Sequence, residues 1–213
     1  SHPLRKYCTM KTTHLLAGIV SLLIAGASQA VPITFIDSQL GSGNPVSSGG
    51  LTLTTTNAGG NIGFIAGSGG YAGLWLGGSN TSGVYTLNFS QSISSIEIEF
   101  DALSSVGGGA PETLFGWATN LGGVTIGYTN QFGTTFDGTT VTSTENDGQG
   151  TITFSGPAFS SFTFSHNQGF QAGFVIERIV VNTGDSQHVP EPGTLALIGL
   201  ALVGLAASRK RAR

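Results

Sequence analysis

Between Val31 and Val189 the apolar residues fall at every second position in short runs, never at helical spacing. Ile33-Thr34-Phe35-Ile36 and Leu51-Thr52-Leu53-Thr54 open the series, and Val84 to Phe89 and Ile96 to Asp101 continue it. Val124 to Ile126, Thr151 to Phe154, Phe162 to Phe164 and Phe174 to Val181 complete it. Period-two runs divided by Gly, Asn, Ser and Pro clusters predict β-strands joined by turns. No window before residue 194 reads as an amphipathic helix. Many short strands of this kind predict an all-β, antiparallel β-sandwich of jelly-roll type. Phe174 to Val181 is apolar on both faces apart from Glu177 and Arg178, which predicts a central strand carrying two charges that point opposite ways.

The pattern changes at both ends. Met10 and Lys11 precede the apolar stretch Leu15 to Ala27 and then Ser28-Gln29-Ala30. A basic start, a short apolar stretch and small residues predict a secretory signal peptide over 10–30, read by the Sec translocon and cleaved between Ala30 and Val31. Residues 1–9 read as a mis-called start or an expression remnant. From Thr194 to Ser208 fifteen residues carry no charge, and Arg209, Lys210, Arg211 and Arg213 follow. At about 1.5 Å per residue such a helix spans roughly 22 Å, short of the ~30 Å hydrocarbon core. Bilayer thinning or snorkelling of the cations closes the gap, and the basic cluster predicts a cytoplasmic C-terminus. Pro190 and Pro192 cannot extend that helix, so Val189-Pro190-Glu191-Pro192-Gly193 is expected as an extended handle outside it.

That order of Pro-Glu-Pro motif, apolar run and basic end resembles a PEP-CTERM sorting signal over 190–213. The resemblance implies an exported protein of a Gram-negative bacterium, held transiently in the inner membrane and handed to exosortase for the cell surface or extracellular matrix. Within the sandwich over 31–189, Tyr85 to Phe89, Ile93 to Phe100 and Gly173 to Val181 resemble jelly-roll domains common in PEP-CTERM proteins. Those domains are similar to carbohydrate-binding modules. Their last strand often carries Ile-Asp-Asp or Ile-Asp-Asn, where this chain has Glu177 and Arg178.

Charge narrows the choice of partners. Only Arg178 is basic between Val31 and Val189, against ten acids, leaving a charge of −9 that the whole-chain value of −3 conceals. Such a surface repels phosphates, so nucleic acid is excluded as a partner. The lone Cys8 lies before Met10, so no disulfide is expected in the sandwich.

Three features carry candidate chemistry. Glu97, Glu99 and Asp101 alternate with Ile96, Ile98 and Phe100, which places the three carboxylates on one face, about 6–7 Å apart. They read as a solvated face or as Ca²⁺ ligands. The spacing also resembles the Glu-x-Asp-x-Glu strand of family 16 glycoside hydrolases, although the order here is Glu-x-Glu-x-Asp; the alternative function is therefore a secreted jelly-roll glycoside hydrolase using these three residues. Trp75 and Trp117 lie in Gly-rich segments where a flat ring could meet a sugar, although tryptophan in a small sandwich serves the core more often. Gly73, Gly77 and Gly78 would let a ligand or a neighbouring backbone close on Trp75. Asp137-Gly138 and Glu145-Asn146-Asp147-Gly148 read as surface turns. His166 has no second ligand at metal spacing and reads as structural or exposed, and no nucleophile elbow, P-loop or zinc pattern occurs. The expectation is a non-enzymatic matrix protein without an obligatory cofactor, its sandwich binding exopolysaccharide or Ca²⁺ in a biofilm.

Overall fold

The computed structural model describes residues 31–68, 70–78, 82–105, 110–169, 173–183 and Ala201. The signal peptide, its cleavage position on the Ala30 side, the sorting motif, the apolar run and the basic end lie outside the described residues. Among the described residues no helix is long and apolar enough to cross a membrane.

Residues 31–183 form an all-β antiparallel structure, with strands β1 (Ile33–Phe35), β2 (Val46–Ser48), β3 (Leu51–Gly59), β4 (Ile62–Ser68) and β5 (Tyr71–Leu76) in its first third. A four-residue helix, α1 (Asp37–Leu40), follows β1, one helical turn in a segment where none is expected. Gln39 reaches back from it to accept the Ile36 N–H at 3.0 Å, and Leu40 is buried beneath it.

Two strands organise the rest. β6 (Gly83–Leu103) joins two runs that the sequence separates, and β11 (Gly148–Asn167) joins two more. Their register slips between Ser155 and Phe159 and again before Ser161. Gly156 and Pro157 sit in this break, and Pro157 has no N–H for the ladder. The consequence is visible in the aromatic core. Phe154 and Phe162, eight residues apart, would stand roughly 26 Å apart in an extended strand, yet their ring centroids lie 4.4 Å apart. The strand folds over on itself, and β6 bends with it.

Each long strand therefore serves both layers of the sandwich. In the first layer β3 pairs with Gly83 to Phe89 of β6, which pairs with the end of β11 and then with β7 (Thr113–Thr119). β10 (Val141–Ser143) and β9 (Thr134–Phe136) extend this layer. In the second, β4 and β5 lead to β12 (Phe174–Thr183), then to the second half of β6, the first half of β11 and β8 (Thr125–Phe132). β1 lies against β12 through Ile33 and Val181. The inward residues meet in one core: Tyr85, Leu87, Ile96, Ile98, Phe100, Phe154, Phe162, Phe164, Ile176 and Ile179 are all buried.

β12 is central, as its two-sided apolarity predicts, but its charges do not point opposite ways. A bulge between Ile176 and Arg178 takes up one residue, so Glu177 and Arg178 are both half-buried on the side away from Ile176 and Ile179. Such a bulge adds an unpaired residue and resets the alternation.

Candidate functional site

The acidic ladder is built as predicted for two of its members. Glu97 and Glu99 stand on the outer side of β6, opposite Val180 and Arg178 of β12. Arg178 Nε donates to Glu99 Oε2 at 2.6 Å and Arg178 Nη2 to Glu97 Oε1 at 3.1 Å. These bonds, with the Glu99 bond foremost, raise the guanidinium pKa further above its ordinary value. One cation thus answers two carboxylates. Among the described residues no three His, Cys, Asp or Glu side chains converge to hold a metal ion. Arg178→Gln is expected to lower stability by only about 1 kcal/mol, because all three side chains keep partial contact with water. The loss should shrink further at high salt; equal denaturation midpoints at low and high salt for the difference between wild type and variant would contradict a role for the pair.

Asp101 parts from the ladder. It is 9% exposed, and its carboxylate accepts the Ala102 N–H at 2.5 Å. Burial pushes its pKa up, against the bonds from Ala102 and the Gln149 side chain, while nearby Asp147 pushes it up again. Ala102 holds φ at +64° and Asp147 at +55°, a left-handed conformation that side-chain-bearing residues seldom adopt and that marks local strain. Glu177 joins the same neighbourhood: burial first, then Asp101, Glu99 and Asp37, raise its carboxyl pKa.

Two aromatic rings border these acids. Trp75 of β5 faces Val175 of β12, which in turn faces Asp101 of β6, so one row crosses three strands. Tyr71 meets Trp75 edge to face with centroids 6.4 Å apart. Its phenol donates to Asp147 Oδ1 at 2.6 Å, and this bond above all holds its pKa up at about 12. The glycines near Trp75 admit the protein's own atoms: a Cβ at Gly73 would strike the Ile176 carbonyl, one at Gly77 the Gln168 side chain and one at Gly78 the Asn61 side chain. Trp75, Tyr71, Asp101, Asp147 and Glu177 therefore form an aromatic and acidic patch at one end of the second layer.

Trp117 is elsewhere and otherwise employed. Its ring stacks on Phe162 and Phe164 and tilts against Phe154, and Nε1 donates to the Thr139 carbonyl at 2.6 Å. The ring is partly buried and packs against the core through three phenylalanines. The Asp137 turn forms as expected. Its carboxylate accepts the Thr139 and Thr140 N–H groups, which lower its pKa.

A further cluster is missed by reading the sequence. Glu112 is fully buried and accepts the Ser104 N–H at 2.9 Å and the Gly173 N–H at 3.3 Å. Its carboxylate thereby ties the end of β6 to the start of β12. His166 lies beside it, Nε2 standing 3.9 Å from Glu112 Oε1, too far for a hydrogen bond. Neither ring nitrogen of His166 has a partner among the described residues. Burial raises the Glu112 pKa and lowers that of His166 to about 4. Both side chains are driven toward their neutral forms. The only sequence signal is weak: Glu112 and His166 each stand at the end of an apolar run.

These observations define the class: an acidic antiparallel β-sandwich with an aromatic and acidic patch on one outer face. Residues 188–211 match the PEP-CTERM protein-sorting motif. The chain is thus an exported protein of a Gram-negative bacterium, sorted through recognition by exosortase. No curated protein and no solved structure matches it.

Proposed function

We propose that this protein is a non-enzymatic component of the cell surface or extracellular matrix whose sandwich binds exopolysaccharide. The sorting motif is the single observation that carries the reading, because export through exosortase supports a place at the cell surface, where glycan is at hand. A signal peptide cleaved after Ala30 and Sec-dependent passage are the route the N-terminal sequence supports. The apolar run then holds the chain in the inner membrane, with the sandwich outside, until exosortase acts near Pro190. Replacing Pro190, Glu191 and Pro192 together by alanine is expected to leave full-length protein in the inner membrane. The protein released by the unaltered chain should have a mass beginning at Val31 and ending near Pro190. Normal release of the alanine variant, or released protein that retains Arg213, would overturn the sorting role of the tail.

Glycan binding rests on the patch at Trp75 and Tyr71. A sugar ring offers an apolar C–H face that suits an indole, and hydroxyls that suit carboxylate acceptors such as Asp101 and Asp147. Hydrolysis draws less support, because Arg178 engages both Glu97 and Glu99 and leaves no free carboxyl pair on that strand. The expected outcome is weakened glycan binding in Trp75→Ala with no turnover in either form.

A further inference from the structure

Among the described residues the outward rows of β3, β6, β11 and β7 in the first layer carry no charge. One row across four strands reads Ala58, Val84, Ser165, Phe115, each opposite the next in register. The next row reads Thr56, Thr86, Thr163, Ala118, and the one beyond it Thr54, Asn88, Ser161. Their hydroxyls already touch: Thr86 and Thr163 share a hydrogen bond of 3.0 Å, and Asn88 Nδ2 donates weakly to Thr56 Oγ1 at 3.4 Å. The first row opens into a groove of about 320 Å³, its lining including Ser82, Val84, Phe115, Ser165 and Asn167. That volume lies at the lower end for small-molecule sites.

The groove combines an apolar floor with an oriented polar rim. Val84 and Phe115 are each 39% exposed, high for large apolar side chains in a folded sheet. Next to Phe115, Gly116 holds φ at +67°, and a Cβ there would lie 3.1 Å from Ser165 Oγ, so the missing side chain leaves Ser165 unobstructed on that side. Ser82 Oγ accepts the Gln168 N–H at 3.0 Å and donates to Asn167 Oδ1 at 2.9 Å. That bond fixes the Asn167 amide with its oxygen toward Ser82 and leaves its two N–H donors for a ligand.

We infer that this groove is a subsite for an uncharged glycan, with the hydroxyl rows as its continuation. The inference rests on the glycan-binding reading above and adds a second site and a substrate class to it. Phe115 and Val84 meet the C–H face of a sugar ring, and Asn167, Ser165 and Ser82 meet its hydroxyls. From Ala58 to Thr54 the rows run about 13 Å along the strands, a track for an extended chain rather than a pocket for one ring. The charge balance selects the neutral class. The one basic residue between Val31 and Thr183 is Arg178, bonded to Glu97 and Glu99 in the other layer. An anionic polymer would find no cation here and an acidic domain behind it.

The test is affinity electrophoresis of the exported protein through gels holding hydroxyethyl cellulose, galactomannan or alginate. Unaltered protein is expected to be retarded by a neutral polymer and not by alginate. Phe115→Ala and Asn167→Asp are each expected to weaken that retardation at least tenfold. Asn167→Asp keeps the side-chain volume and the acceptor for Ser82 and replaces the N–H donors by a charged oxygen at an exposed position, so it tests the donors at little cost to folding. Full retardation of both variants with loss in Trp75→Ala would overturn the groove and leave the glycan-binding reading standing. Retardation by none of the neutral polymers would overturn both. Retardation by alginate alone, or a dimer in sedimentation that Phe115→Ala dissolves, would overturn the groove as a neutral-glycan site.

Discussion

Lowering the pH from 7 to 4 will cost the folded domain about 3 kcal/mol through His166 alone. The folded imidazole titrates at about 4, against 6.5 for the free side chain, because burial disfavours its cation. Above pH 6.5 both folded and unfolded chains hold it neutral, and it contributes no pH dependence. Between 6.5 and 4 the unfolded chain takes up a proton that the folded chain refuses, so stability falls across this window. At about 1.4 kcal/mol per unit the difference is about 3 kcal/mol. Glu112 acts in the opposite sense. Its raised pKa makes the folded chain bind a proton first, so it returns some stability as the pH falls toward its ordinary value of 4.5. The two effects separate in variants. Urea midpoints of His166→Leu and wild type should diverge from pH 6.5 downward, the variant gaining on wild type by about 3 kcal/mol at pH 4. Parallel pH profiles would mean that His166 reaches water or a partner in the folded protein.

Phe162→Ala will cost about 3–5 kcal/mol, the range for emptying a phenylalanine site in a packed core. Phe162 is fully buried, touches Phe154 across the fold of β11, and stacks with Trp117 at 6.3 Å. Its neighbours come from both halves of one strand, held by the break at Gly156 and Pro157. They cannot close on a cavity without moving that bend, so the loss should fall in the upper part of the range. Phe132→Ala is the contrast: its ring is 53% exposed on β8, and its loss should stay within about 0.5 kcal/mol. Similar midpoint shifts in the two variants, measured by chemical denaturation, would contradict the folded-over strand.

The strands were legible because burial on one face writes period-two alternation directly into the residues. Ile96 to Asp101 and Thr151 to Phe154 read as strands and are strands. What alternation cannot report is which runs join. Ser90 to Ser95 reads as a break between two strands, yet the backbone continues through it as β6, because a bent strand keeps its ladder while it changes layers. β4 and β5 are missing from the runs read in the sequence, because glycines interrupt their alternation, while Gly73 is what lets β12 pack against β5. For the site, alternation placed Glu97 and Glu99 correctly. It could not foresee that Arg178 would meet them, since that depends on a one-residue bulge in a strand 79 residues on. Glu112 and His166 left almost no trace, because burial of a single polar residue is decided by what packs over it.

The last strand of the described domain is also the middle of its second layer. β12 separates the β4–β5 hairpin from β6 and holds β1 at its far end. Until it arrives, among the described residues β5 has no paired strand but β4, and β1 has no paired strand. A chain threading through a membrane from its N-terminus would therefore stay open until its final strand had crossed. For an exported protein that delay is an asset: a chain still lacking β12 leaves its second layer open, and an open layer is easier to keep unfolded for passage.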